Sequence, residues 1–404
     1  MKKDGRYARP SHPVFYIFLR FFCFVFSRIF LGFRCRDRYR IKKGEPVLVL
    51  SNHQTDADPL CILPSFVPPV YPVATDNIFS GKAAARLFTY ISVIPKKKGT
   101  ADLRTVIRML EYLRRGTSVM LFPEGNRYYA EFQYYIAPEL AKLVKRSKAT
   151  LILFNLHGGS GVSPRWARRR RRGSFRGEIR RILKYDEYSL MTDDELNRVI
   201  SEGIRVYDSE SGEEYKSPRR AEYLEKMLFC CPVCGKFETI FSRGAEIGCR
   251  ACGMKAEYGT DLRIHGLPGY ERLADWWKFE KKAVREMTIK PGNTVFSDGS
   301  ARLFSSVPFE KRKLLCRGPV TLTDGTLRCG KLEFEVAKIT SASVISGGKL
   351  AFVYEKSDYT VVGGKRFNPV KYIFALNRLD SAMKINGTDL YFNLGEPLPC
   401  GDST

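Results

Sequence analysis

At 404 residues the chain is long enough for two or three domains. Its formal net charge of +25 implies polyanionic partners, and both nucleic acid and anionic lipid qualify. No Walker loop, dinucleotide fingerprint or internal repeat is present, and the eleven cysteines are spaced as in a reducing compartment rather than a secreted disulfide scaffold.

The first element, Val14 to Phe33, is crowded with phenylalanine and long enough to span a bilayer. Arg20 and Arg28 oppose simple spanning, because each costs about 2.5–3.5 kcal/mol near a helix centre. Lys2, Lys3, Arg6 and Arg9 precede it, Arg34, Arg36, Arg38 and Arg40 follow it, and both flanks favour the cytoplasmic side. Arg20, Ser27 and Arg28 share one side of a helical wheel. The expectation is a monotopic, in-plane helix with a narrow polar stripe facing phosphates. No small-residue cleavage pattern marks a signal peptide.

Val47-Leu48-Val49-Leu50 is a short apolar run of the buried-strand type. It leads into Asn52-His53-Gln54-Thr55-Asp56-Ala57-Asp58-Pro59, which puts a histidine at a strand's carboxyl end, where α/β sheets place ligands. Asp58-Pro59 reads as a helix start, with Asp at the N-cap and Pro at the first helical position. On that reading alone, Asp58 only caps a helix and His53 is a loop histidine. Further on, Tyr90-Ile91-Ser92-Val93-Ile94-Pro95-Lys96-Lys97-Lys98-Gly99 ends in a lysine run. A second strand, Ser118-Val119-Met120-Leu121, runs into Phe122-Pro123-Glu124-Gly125-Asn126-Arg127. There a glycine admits close backbone approach and an arginine offers a planar fork for phosphate.

Together these motifs, an HX4D and an FPEG, resemble the glycerolipid acyltransferases of the 1-acylglycerol-3-phosphate type, over roughly residues 40 to 225. The resemblance implies transfer of a fatty acyl group from acyl-CoA or acyl carrier protein to a lysophospholipid hydroxyl, most directly that of lysophosphatidate. His53 would be the base and Asp58 the carboxylate that fixes its tautomer. The thioester is already activated, so no serine or cysteine nucleophile is needed. Glu124, Gly125 and Arg127 would bind the acceptor, and Lys96 would either hold its phosphate or be a solvated lysine after an edge strand. Lys97 and Lys98 read as solvated lysines. Asn126 stands where the family has Thr or Ser, and Tyr128 where it often has Ser, which bears on acceptor choice: another lysophospholipid or a glycolipid is the alternative. A reading from a different class is a catalytically silent membrane adaptor, which an intact His53, Asp58, Glu124 and Arg127 set disfavours.

Leu151-Ile152-Leu153-Phe154 is a further strand, and Asn155 to Gly161 after it departs from the family's proline-containing turn. His157 there is either a site-lining group or a loop residue. Arg165-Trp166-Ala167 and Arg168 to Arg172 form a basic block expected to be a solvated or disordered loop beside the membrane face. Contact with anionic lipid is favoured and nucleic acid disfavoured. Thr192-Asp193-Asp194-Glu195 is a capping box opening a helix through Leu196, Val199, Ile200 and Ile204.

Cys231-Pro232-Val233-Cys234-Gly235 and Cys249-Arg250-Ala251-Cys252-Gly253 have zinc-ribbon spacing, with disulfides as the alternative. Cys231, Cys234, Cys249 and Cys252 are the candidate ligands of one structural zinc, and the glycines suit tight knuckles. Tyr270 to Met287 reads as a helix whose Trp276 and Trp277 pack between domains. After Pro291-Gly292, runs such as Val320-Thr321-Leu322, Leu350 to Tyr354 and Tyr372 to Leu376 read as strands of a small β domain with a loose pleckstrin-homology or GRAM-like flavour. The expected fold class is α/β: an acyltransferase-like sheet with flanking helices, then a zinc ribbon and a mostly β domain. The expected layout is a membrane-associated segment over 1–40, the acyltransferase domain over 41–228, the ribbon over 229–260, a helical connector over 261–290 and the β domain over 291–404.

Overall fold

The computed structural model describes residues 13–75, 86, 88, 90–96, 103–131, 134, 136–306 and 312–379. Lys2, Lys3, Arg6 and Arg9, and also Lys97, Lys98 and Gly99, lie outside these residues.

Helix α1 spans Pro13–Phe30. Tyr16, Cys23 and Ser27 recur at helical spacing and are buried. Arg20, on the same side, donates from Nε to the Pro64 carbonyl at 3.1 Å. This corrects the expected polar stripe: Arg20 and Ser27 face the protein, because a carbonyl in the short turn Leu63–Ser65 takes the guanidinium. The outward face is apolar instead, with Ile17, Phe18, Phe21, Phe22, Ile29 and Phe30 all exposed and Arg28 among them. Among the described residues no helix is long and apolar enough to cross a membrane.

The amino-terminal half continues through β1 (Phe33–Cys35), β2 (Tyr39–Arg40), β3 (Val47–Ser51), α2 (Asp58–Ile62), β4 (Phe66–Val67), β5 (Tyr71–Thr75), β6 (Ile94–Lys96), α3 (Leu103–Arg114) and β7 (Val119–Leu121). After these come α4 (Glu139–Ser147), β8 (Thr150–His157), α5 (Gly159–Val162), β9 (Phe175–Leu183), α6 (Tyr185–Ser189) and α7 (Asp193–Gly203). Seven strands form one mixed sheet in the order β1-β9-β8-β3-β7-β5-β6, and β2 pairs separately with β4. β3 lies parallel to both β7 and β8, whereas β8 and β9 are antiparallel. The predicted strands at 47–50, 118–121 and 151–154 are all in place. The capping box is present, with the Glu195 amide donating to Thr192 Oγ1 at 3.2 Å and the Thr192 amide to Glu195 Oε2 at 2.7 Å.

The alternation of β3 and β8 divides the core. Leu48, Leu50, Leu151 and Leu153 face α3, α4, α6 and α7 in one apolar cluster. Val47, Val49, Ile152, Phe154 and Leu156 belong to a second, which runs on without a break into the carboxyl-terminal half.

That half begins with β10 (Ile240–Arg243), β11 (Glu246–Cys249), β12 (Lys255–Tyr258) and β13 (Ile264–His265), an antiparallel meander continuing past residue 260. Helix α8 (Leu273–Glu286) buries both tryptophans, as expected of a packing element. Trp276 Nε1 donates to the Cys230 carbonyl at 2.8 Å. The Trp277 ring stacks on Tyr129 at 5.8 Å and meets Phe374 edge-on at 5.1 Å.

β14 (Phe296–Ser306), β15 (Lys313–Leu322), β16 (Thr326–Cys329), β17 (Leu332–Glu335), β18 (Ile339–Ile345), β19 (Lys349–Tyr354) and β20 (Ser357–Gly363) form an antiparallel sheet in the order β17-β16-β15-β14-β20-β19-β18. Tyr372 to Leu376 is not a strand but the middle of α9 (Pro369–Leu379). Every residue from Pro369 to Leu376 is buried, so the run shows no polar face to reveal its period. Local chemistry sets the helix: Asn368 Oδ1 accepts the Val370 amide at 2.9 Å, and Pro369 supplies a helical φ at the start.

The arginine block also departs from expectation. Arg168, Arg169, Arg170 and Arg172 are exposed, but Arg165, Trp166 and Arg171 are buried. Arg165 donates to the Arg127 carbonyl at 2.9 Å and to the Val344 carbonyl of β18 at 2.7 Å, and lies 4.2 Å over the Tyr129 ring. Arg171 donates to the Arg220 carbonyl at 2.6 Å and lies over Trp166 and Tyr258. Backbone carbonyls and aromatic faces hold these cations in place, although Arg165 Nε and Arg171 Nη1 are buried without a hydrogen-bond partner.

Because Trp277 joins Tyr129 to Phe374, Trp277→Ala is expected to lower stability by about 3–5 kcal/mol, as for other buried tryptophans. Urea unfolding followed by far-UV dichroism checks it; a loss below about 1 kcal/mol would show that the rings merely touch.

Candidate active site and metal centre

β3 and β7 are hydrogen-bonded neighbours, Leu50 opposite Leu121, so the turns that leave them meet at one edge of the sheet. His53 and Asp58 come together there: His53 Nδ1 lies 2.8 Å from Asp58 Oδ2. Asp58 is fully buried, and its carboxylate also accepts the amides of Gln54 at 2.7 Å and Thr55 at 2.9 Å, with Thr55 Oγ1 at 2.5 Å on the other oxygen. Asp58 is not the N-cap; Ala57 is, and Pro59 occupies the second helical position. The carboxylate turns back instead to fold the loop around His53. With Nδ1 engaged, Nε2 is the nitrogen left for a substrate, and the side chain is 20% exposed.

The second turn packs directly on the first. The Phe122 ring stacks on His53 at a centroid distance of 4.2 Å, and the Tyr128 amide donates to the His53 carbonyl at 3.1 Å. Gly125 sits at φ +67° with nothing within 4 Å of a built Cβ, so it is required for the turn and leaves open space beside it. Arg127 Nε pairs with Asp56 Oδ1 at 3.0 Å, and Asp56 also accepts Ser346 Oγ at 3.0 Å. The hairpin between β18 and β19 therefore touches the site.

Glu124 is fully buried. It accepts the Tyr128 hydroxyl at 3.0 Å and the Tyr134 amide at 3.1 Å, so it organises the turn from behind. Burial pushes its carboxyl up to about 8, against the opposing bonds from Tyr134 and Tyr128. Lys96 ends β6, two strands from β7 and three from β3. At the usual strand spacing that is about 10 and 14 Å away laterally. His157 ends β8 at the same sheet edge, but its Nε2 faces Glu178 of β9 at 3.2 Å.

Several residues here escaped the sequence reading. Asn52 bonds the amide and carbonyl of Leu156 at 2.8 and 2.9 Å, tying β3 to β8. Gln54 donates to Asp208 at 3.1 Å and accepts the Gly159 amide at 2.7 Å. Asp208 also holds the Gly158 amide at 2.7 Å and Ser160 Oγ at 2.5 Å, and Ser160 reaches Glu131 at 3.1 Å. Burial, with Asp208 beside it, pushes the Glu131 carboxyl up to about 7. A Cβ at Gly159 would stand 2.6 Å from Gln54 Oε1, which explains the small residues in that turn. Their separation along the chain removes any local spacing signal.

Residues 32–155 match the Acyltransferase family model. The matched segment runs from just before β1 into β8 and holds both turns. Among solved structures, the chain is similar to the 1-acyl-sn-glycerophosphate (LPA) acyltransferase PlsC from Thermotoga maritima, at 15% identity and a TM-score of 0.39, over 47% of this chain and 76% of that one. No curated protein sequence matches.

The four predicted cysteine ligands form a second constellation. Their sulfurs all lie within 4.8 Å of one another, and Cys231–Cys252 and Cys234–Cys249 are each 3.8 Å apart. A tetrahedral zinc with bonds of about 2.3 Å has sulfur–sulfur edges of about 3.8 Å, whereas a disulfide needs about 2.05 Å. Both knuckles close alike: the Gly235 amide donates to Cys231 O at 2.8 Å and the Gly253 amide to Cys249 O at 3.0 Å, each glycine at positive φ. The donor set and spacing fit zinc and leave no open coordination position. Cys230 is turned away, its sulfur against the Gly235 carbonyl at 3.4 Å.

Two outcomes are expected. Elemental analysis of reduced protein should find about one zinc per chain, and Cys234→Ser should lower both zinc content and melting temperature; a folded, metal-free preparation would defeat the assignment. For Glu124, the native carboxyl holds its proton to about pH 8, whereas an unfolded one releases it near pH 4.3. The native state binds the extra proton between those values, so this contribution to stability is complete below about pH 4.3 and is lost as pH rises through about 8. Glu124→Gln should flatten the profile in that window by at most about 1.4 kcal/mol per pH unit. Urea midpoints of both proteins across the window check it, and parallel profiles would refute it.

Proposed function

We propose that the protein is an O-acyltransferase of membrane glycerolipids, moving a fatty acyl group from acyl-CoA or acyl carrier protein to a lysophospholipid, with 1-acyl-sn-glycerol-3-phosphate as the leading acceptor. The observation that carries the reading is the His53–Asp58 pair at 2.8 Å, stacked against the Phe122 turn at the carboxyl edge of the sheet. In this mechanism neutral His53 takes the acceptor's hydroxyl proton through Nε2. The oxygen attacks the thioester carbonyl, the thiolate leaves, and the imidazolium returns the proton to sulfur. Asp58 holds the tautomer and stabilises the cation formed on the way.

Arg127 suits the acceptor's phosphate. Its guanidinium already pairs with a carboxylate, and Asp56, 62% exposed, is the group an arriving phosphate would replace. Glu124 supports that turn by shaping it rather than by touching the acceptor, and Gly125 provides the opening. Lys96 lies on the same edge, within reach of a larger headgroup. In this reading the domains keep their expected bounds, save that the sheet after the cysteine knuckles runs on to His265, and zinc braces the junction. Helix α1, with aromatic residues outward, supports an in-plane attachment to the cytoplasmic face of a membrane.

Purified protein assayed with labelled acyl-CoA against a panel of lysophospholipids, read by lipid mass spectrometry, tests the reading. Loss of a general base costs about 10²–10⁴ in rate, so His53→Ala should lose at least that much, and Asp58→Asn nearly as much. Arg127→Ala should chiefly raise KM for a phosphate-bearing acceptor and leave that for the donor nearly unchanged. Near-normal turnover by His53→Ala would sink the mechanism, and equal KM effects on both substrates would sink the clamp.

A further inference from the structure

The exposed arginines of the basic block are not scattered. A cleft of about 780 Å³ is lined by Arg169, Arg170, Arg172, Lys216, Arg219 and Arg220. Its floor is built by the backbone. The Arg172 amide donates to the Lys216 carbonyl at 3.0 Å and the Lys216 amide to the Arg172 carbonyl at 2.7 Å, which fixes the two basic stretches side by side. Arg171 between them turns inward under Trp166 and Tyr258, so its neighbours are directed to solvent.

Charge compensation in the cleft is partial. Lys216 pairs with Glu214 at 2.7 Å, Arg219 lies 3.7 Å from Glu222, and Arg220 pairs with Glu257. Among the described residues Arg169 and Arg172 have no ion pair. Arg170 donates to the Leu31 carbonyl at 2.6 Å, immediately past the end of α1. A cleft with surplus cations is thus hydrogen-bonded to the end of a helix whose outward face carries Phe21, Phe22, Ile29 and Phe30.

We propose that this cleft is a headgroup site for an anionic phospholipid that is neither substrate nor product, filled while the outward face of α1 enters the membrane interface. A phosphate-bearing headgroup meets the arginine forks, and its acyl chains lie on the side where α1 offers phenylalanine. Nucleic acid would use the charge alone and leave the aromatic face without a partner. None of the residues lining the cleft belongs to the two turns that carry His53 and Arg127, so occupancy orients the protein without contacting His53. The inference rests on the membrane-surface reading of α1, and its test separates the two.

The full-length protein is floated with phosphatidylcholine vesicles, with and without phosphatidylserine. Each basic residue near an anionic surface contributes about 1 kcal/mol, about fivefold in partitioning. The triple variant Arg169→Gln, Arg172→Gln, Arg219→Gln should therefore bind serine-containing vesicles on the order of 100-fold more weakly, while binding to phosphatidylcholine alone and turnover of a short soluble acceptor stay unchanged. Phe21→Ser with Phe22→Ser should weaken binding to both vesicle types. Glycerol 3-phosphate at matched phosphate concentration should not displace the protein from serine-containing vesicles. Wild-type binding of the triple variant overturns the site, displacement by glycerol 3-phosphate reassigns it to a soluble phosphate, and lost oligonucleotide binding with intact vesicle binding reassigns it to nucleic acid. If the phenylalanine variant binds both vesicle types normally, the α1 reading falls and takes the combined surface with it. If no acceptor is acylated yet the triple variant loses the serine-dependent step, the enzyme reading fails and the headgroup site stands.

Discussion

β3 and β8 are covered on both faces, and that requirement shapes everything attached to them. Leu48, Leu50, Leu151 and Leu153 turn to one side and Val47, Val49, Ile152 and Phe154 to the other, all without solvent contact. A sheet of this kind needs two layers over it. Helices supply the first. The second comes from short α2, the turn after β7, and then the carboxyl-terminal modules, whose tryptophans and phenylalanines continue the same cluster. Both loops that carry the candidate chemistry leave the sheet at its carboxyl edge, where these layers converge.

Two arginines hold the convergence. Arg165 divides its hydrogen bonds between the turn bearing Arg127 and strand β18, and Arg171 divides its contacts among Trp166, the Arg220 carbonyl and Tyr258 of β12. Each spends a buried cation on backbone carbonyls and ring faces. Such cations are costly to bury unless their donors are directed, and the carbonyls each one reaches tie the elements together, though one nitrogen of each stays without a partner. The Ser346–Asp56 bond extends the arrangement to the rim of the site.

Much of this was legible in the sequence because the signals were local. A strand followed by His53 and Asp58, a second strand followed by Phe122 to Arg127, the Thr192 capping box and the paired CxxC knuckles each lie within a few residues. What escaped notice was what depends on distant partners. Asp208 supports Gln54 from 154 residues away, and Arg165 finds Val344 from 179 away. Tyr372 to Leu376 carried no polar punctuation to distinguish a buried helix from a strand. Arg20 and Ser27 looked like a headgroup stripe because a helical wheel cannot show which side a neighbouring chain will cover.

The continuity of the second cluster has a consequence for dissection. The segment resembling known acyltransferases, residues 32–155, contains both loops of the site but neither roof complete, since α6, α7 and the carboxyl-terminal modules all lie beyond it. Cut free, it would present Phe122, Tyr128, Tyr129 and Ile152 to water, the kind of surface that aggregates. Module boundaries drawn by resemblance are therefore not lines along which this chain can be divided: the candidate turns lie in a short stretch, but its solubility belongs to the whole.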